Sequence, residues 1–106
     1  MKYERMRTAI ELMAKDELFN DKNLYDEMVR LEKHYRKLNV EYPTIDIPCD
    51  IIGEYHDDIS ILSYIAIEKV LNRFNIEFMF TNSEIREMAT DFLFDHLMDI
   101  SRDLEV

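Results

Sequence analysis

The sequence predicts an all-α fold, a compact bundle of four to five helices. Three observations carry that prediction. Long stretches repeat apolar residues at spacings of three and four, the period of a helix that buries one face. One Gly and two Pro in 106 residues leave little turn chemistry for a β-fold. Thr81 and Glu84 stand at capping-box spacing ahead of a periodic run, which marks a helix start. The length predicts a single domain over 1–106, and 47% apolar residues suffice for its core.

The first helix is predicted over about 2–18, with Tyr3, Met6, Ile10 and Met13 as its stripe and Ala9, Leu12 and Ala14 widening it. The Asn20-Asp21-Lys22-Asn23 cluster stops it and caps its successor. The second helix spans about 23–38, where Leu24, Met28, Leu31, Tyr35 and Leu38 alternate four and three. Two heptads are too few for a long coiled coil, so an antiparallel pair with the first helix is the default. Residues 39–48 are irregular, because Pro43 and Pro48 push their predecessors out of helical geometry. Pro48 suits the first position of a short helix over 48–54, capped by Asp46 or Ile47.

Residues 58–74 are the most apolar part of the chain. Ile59, Leu62, Ala66, Val70 and Phe74 make one helical face, and Ile61, Ile65 and Ile67 extend it. A buried central helix follows, with Asp57 or Asp58 as its N-cap. Residues 76–80 suit a helix extension, a short extended segment or a core plug. The last helix covers about 83–103 and turns Ile85, Met88, Ala89, Phe92, Leu93, Leu97, Ile100 and Leu104 inward. Met6, Met13, Met28 and Met88 also fall on inner faces.

Charge divides the chain. Residues 1–40 hold nine Lys+Arg and eight Asp+Glu, whereas 41–106 hold four and fifteen. Nearly all of the formal net charge of −10 therefore belongs to the second part. In the last helix Glu87, Asp91, Asp95, Asp99 and Asp103 follow at i,i+4, with Glu84 upstream. Each like-charge i,i+4 pair costs about 0.2–0.5 kcal/mol, so this line costs roughly 1–2 kcal/mol. Asp99 and Asp103 also sit at the negative end of the helix dipole. A second line, Asp46, Asp50, Glu54 and Asp58, keeps the same spacing. The plain reading makes both lines solvated faces, or docks them against Arg30, Lys33, Arg36 and Lys37 of the second helix. The functional reading makes them an anionic surface for a basic partner.

Several classes of function are excluded. The lone Gly53 cannot build a phosphate loop or dinucleotide fingerprint. The lone Cys49 makes no internal disulfide, which suits a reducing, cytoplasmic setting. No long apolar run or secretory signal is present, so no membrane partner is expected. Strong negative charge argues against direct nucleic-acid binding. The residues three before His34, His56 and His96 are Leu31, Gly53 and Leu93, so the Glu-x-x-His pair of di-iron bundles is missing. His56-Asp57 resembles the doublet of HD-type metal-dependent phosphohydrolases, which implies His34 and one of Asp91, Asp95 or Asp99 as further ligands. A capping role for Asp57 or Asp58 explains the same residues without chemistry. No nucleophile has a base beside it, and no cofactor or metal is expected.

The resulting expectation is a non-enzymatic acidic protein that binds a basic site on a nucleic-acid-binding protein. Asp46, Asp50, Glu54, Asp58, Glu84, Glu87, Asp91, Asp95, Asp99 and Asp103 would carry it. In charge and size alone the chain resembles the nucleic-acid-mimic inhibitors that phages and mobile elements direct against restriction or CRISPR machinery. Duplex DNA carries one charge per about 1.7 Å, against one per about 6 Å on a single stripe, so two stripes or a homodimer are needed. The alternative is a helical assembly module or homodimeric subunit with ordinary solvated acids.

Overall fold

The computed structural model describes residues 4–41 and 49–104. Four helices carry the described chain: α1 (Glu4–Asn20), α2 (Lys22–Glu41), α3 (Cys49–Arg73) and α4 (Asn82–Asp103). A single 3₁₀ turn, Glu77–Met79, precedes α4, and no strand occurs among the described residues. The all-α prediction holds. The 76–80 segment resolves as this turn followed by the buried Phe80.

Asp21 alone separates α1 from α2. Its amide donates to the Glu17 carbonyl and its carbonyl accepts from Tyr25, so helical bonding passes through the junction. Its carboxylate accepts from the Asn23 and Leu24 amides at 3.0 and 3.1 Å, the N-cap role expected of this cluster. A side-by-side helical hairpin takes about 2–5 loop residues. Here one residue makes the connection, and the Phe19 and Tyr25 rings meet across it at 6.0 Å. Both helices then lie on α3.

The stripe of α1 is rotated from its predicted position. Ile10, Ala14 and Leu18 are the buried residues, Met6 and Met13 are half-buried, and Leu12 faces solvent. Ala14 lies fully buried where α1 packs, and a small side chain there permits close approach of helix axes. On α2 the predicted seam is observed: Leu24, Met28 and Leu31 are buried, while Tyr35 and Leu38 are half-buried.

α3 corrects several expectations. It runs unbroken from Cys49 to Arg73, so the short helix over 48–54 and the central helix are one. Asp57 and Asp58 lie inside it and cap nothing. Asp46 and Pro48, with the cap proposed for that short helix, lie outside the described residues. At about 37 Å, α3 runs most of the 44 Å long axis of the molecule. It contacts α1, α2 and α4 and supplies Ile59, Leu62, Ala66, Ile67, Val70 and Leu71 to the core.

Phe74 is a further correction: its spacing places it on the inner face, and it is 51% exposed. The helix stops first. Asn75 takes φ 56°, the left-handed conformation, and the Ile76 amide donates to Leu71 while that of Asn75 donates to Asn72. This is a Schellman ending with Asn in the position usually held by Gly, and Ile76 packs on the core beside it. α4 then opens as predicted. The Thr81 hydroxyl accepts from the Glu84 amide at 3.1 Å, and the Glu84 carboxylate accepts from the Thr81 amide at 3.0 Å. Its inner face buries Ile85, Met88, Ala89, Phe92, Leu93 and Ile100, with Leu104 beyond its end. No helix among the described residues is long and apolar enough to cross a membrane.

Candidate acidic interface

The acids of α4 meet α1, because Arg7 reaches across to them. Its guanidinium donates to Asp91 at 2.9 Å and lies 3.7 Å from Glu87. The Arg7 side chain is only 15% exposed, against 49% for Asp91. One turn along α1, Glu11 is half-buried and faces the same acids. Burial, then the nearby Asp95 and Asp91, raise its pKa, and Arg7 opposes them. His96 places Nε2 at 4.0 Å from Glu11 and its ring 5.4 Å from that of Phe92. A cleft of about 300 Å³ opens here, bordered by Glu4, Arg7, Glu11, Asp91, Phe94 and Asp95.

Two basic residues of α2 pair inside their own helix. Arg30 pairs with Glu27 and Arg36 with the buried Glu32, both within α2. The Arg30 contact holds the Glu27 carboxyl below its ordinary pKa. Meanwhile two of the four cations in residues 41–106 turn toward the first part of the chain. Lys69 binds Asp21, and Arg73 binds Glu17. The Lys69 hydrogen bond, with the Leu24 amide, lowers the Asp21 pKa.

The sequence-predicted acids therefore separate into groups. Glu84 is occupied in the cap of α4. Glu87 and Asp91 are tied to Arg7, and Asp99 and Asp103 to Arg102 at 2.8 and 3.6 Å. Asp95 is exposed and makes no ion pair among the described residues. On the second line, Glu54 is exposed, whereas Asp58 accepts a 2.9 Å hydrogen bond from the Tyr35 hydroxyl. Burial, then this bond, pushes the Tyr35 phenol up to about 12. Asp46 and the side chain of Asp50 lie outside the description, so the second line is represented by Glu54 and Asp58 alone. Asp57, which sequence reasoning treated as a cap, is exposed beside them.

Among the described residues no three His, Cys, Asp or Glu groups are placed to hold a metal ion, and the set implied by the His56-Asp57 doublet does not assemble. The apolar surface was missed entirely. Phe94 is 76% exposed in the middle of the acidic helix, and Ile61 is 59% exposed on α3. The signal for Phe94 was its place three residues after Asp91 and one before Asp95, off the inner-face spacing. Compared with protein-family models, curated proteins and solved structures, the chain has no match.

Proposed function

We propose that this chain is a small, non-enzymatic acidic protein that binds a basic surface on a partner protein, and that it competes there with nucleic acid. One observation supports this reading above the others. Lys69 and Arg73 are spent on Glu17 and Asp21, so the outer acids of α3 and α4 keep little compensation from their own half of the chain. Glu54, Asp57, Glu77 and Asp95 are exposed and make no ion pair among the described residues. Such a surface steers basic partners by long-range attraction and makes the complex salt-sensitive.

The competition with nucleic acid rests on charge alone, and the pairing of Arg7 and Arg102 thins the stripe on α4. Two faces must therefore act together to approach the charge density of a duplex. Exposed Phe94 and Ile61 favour the second reading, a helical assembly module.

The test is capture of nucleic-acid-binding proteins from lysate on the immobilised chain, with elution by salt and by added DNA or RNA. The proposal expects retained proteins to be released by both. Asp57→Lys with Asp95→Lys should abolish retention, and as exposed unpaired positions they should leave stability within about 0.5 kcal/mol. Retention indifferent to salt, to nucleic acid and to this variant would replace the proposal with the assembly reading.

A further inference from the structure

A groove of about 450 Å³ lies between α3 and α4 and shares no lining residue with the Arg7 cleft. Ile61, Tyr64 and Ile65 form its α3 wall, and Arg86, Ala89 and Thr90 its α4 wall. Its surface is mainly apolar. Residues four apart share a helical face, which fixes what borders it. Along α3, Asp57 precedes Ile61 and Glu68 follows Tyr64 at that spacing. Along α4, Phe94 follows Thr90 at the same spacing and stands between this groove and the Arg7 cleft, which it also lines, with Glu87 beside that stripe. Glu68 also receives the Tyr64 hydroxyl, which raises the phenol's pKa. The groove thus has an apolar floor, an exposed aromatic ridge and acids beyond both walls, with Arg86 as the one cation among its lining residues.

We propose that this groove takes an amphipathic basic helix of the partner protein, apolar side down. The inference rests on the acidic-binder reading and names the shape of the partner. Charge complementarity selects the occupant. An acidic helix would face Asp57, Glu68 and Glu87, and a second copy of this chain would bring a formal net charge of −10 to the same rims. A bare polycation would leave the floor unfilled. A helix with apolar residues at i, i+3, i+4 and i+7 and Lys or Arg elsewhere satisfies floor and rims together. Residues 60–65 span about 7.5 Å of helix axis, so the floor admits one or two anchor side chains. Phe94 lies one turn beyond Thr90 and packs on the next.

The probe is an 18-residue Leu/Lys peptide with its leucines on one helical face, labelled for fluorescence anisotropy. The control has the same composition in a scrambled order with no apolar face. The amphipathic peptide should bind at least tenfold more tightly than the scrambled one. Ile61→Gln with Phe94→Gln should remove that difference while leaving the weak, salt-sensitive binding of the scrambled peptide intact. Both positions are exposed, and an unchanged melting curve verifies the fold of the variant. Equal binding of the two peptides, or full binding by the double variant, overturns the groove proposal and leaves the acidic-binder reading standing. Failure of both peptides to bind at low salt overturns that reading as well. A concentration-dependent dimer by sedimentation, lost in Ile61→Gln with Phe94→Gln, assigns the groove to a second copy and overturns the proposal.

Discussion

Arg7 decides how much of the acidic line on α4 is structural, and a double-mutant cycle with Asp91 measures it. The two meet at 2.9 Å, with side-chain exposures of 15% and 49%. Fully exposed ion pairs contribute about 0.2–1 kcal/mol, and hydrogen bonds to charged groups about 1.5–3 kcal/mol. Half-burial places the coupling between these ranges, at about 1–1.5 kcal/mol. Arg7→Ala should cost more than the coupling, about 2 kcal/mol, because Glu87 and the half-buried Glu11 lose the same cation. Asp91→Ala should cost less, since it also removes repulsion from Asp95 and Glu87. With unfolding entropy near 2.1 cal/mol/K per residue, 2 kcal/mol corresponds to a Tm drop of about 9 °C at this length. Urea unfolding of the wild type, both single variants and the double gives the coupling directly. A coupling below about 0.3 kcal/mol, or an Arg7→Ala variant as stable as wild type, refutes the argument. The line on α4 would then be solvated charge that α1 does not restrain.

Other expectations follow from local geometry. Thr81→Ala removes the hydroxyl that caps α4 and should lower stability by about 1 kcal/mol, read by thermal unfolding. Asn75→Gly should match or exceed wild type, whereas Asn75→Val should lose about 1–2 kcal/mol, because a β-branched residue resists φ 56°. Glu11 has a folded pKa above its unfolded value of 4.5, so its protonated form is the one that folding favours. Its contribution is present below the unfolded pKa and lost as pH rises through the folded one. Glu11→Gln should therefore exceed wild type in stability at pH 7, and the gap should close as pH falls toward 4.5, measured by urea midpoints across pH.

The sequence was most informative where one signal acted alone. The spacing of Leu24, Met28 and Leu31 and the Thr81–Glu84 pair needed no knowledge of neighbours, and both are observed. It misled where two signals competed. Asp57 and Asp58 look like a helix start, yet the helix passes through them, and Asp58 answers Tyr35 of another helix instead. Leu12 reads with Ala14 as widening the stripe of α1, yet Ala14 is fully buried and Leu12 is exposed. Phe74 continues the spacing of α3, and only the left-handed Asn75 shows why the face ends before it. For the candidate site, sequence spacing located the acids of α4 but not their partners. Arg7 lies 84 positions from Asp91, beyond any local rule. The α3–α4 groove was illegible for the same reason: it is made by two helices, and Ile61 read as core until α4 was placed beside it.

Asp21 holds the break between α1 and α2. Its carboxylate draws the Asn23 and Leu24 amides away from the carbonyls of Phe19 and Asn20, the acceptors a continuous helix would use. With that carboxylate removed, as in Asp21→Ala, the cap that breaks the helix is lost and the uninterrupted helix gains relative to the break. Drawn straight over 4–41, that helix would be about 57 Å long, longer than the 44 Å of the whole molecule. The segment Glu4–Asn20 would project past its own α3 and could bury Ile10, Ala14 and Leu18 only on the α3 of another chain. Two copies trading that segment would form an intertwined dimer with every core contact preserved. Light scattering on Asp21→Ala should show this doubled mass. A single capping carboxylate thus biases the chain toward packing its first helix on its own core.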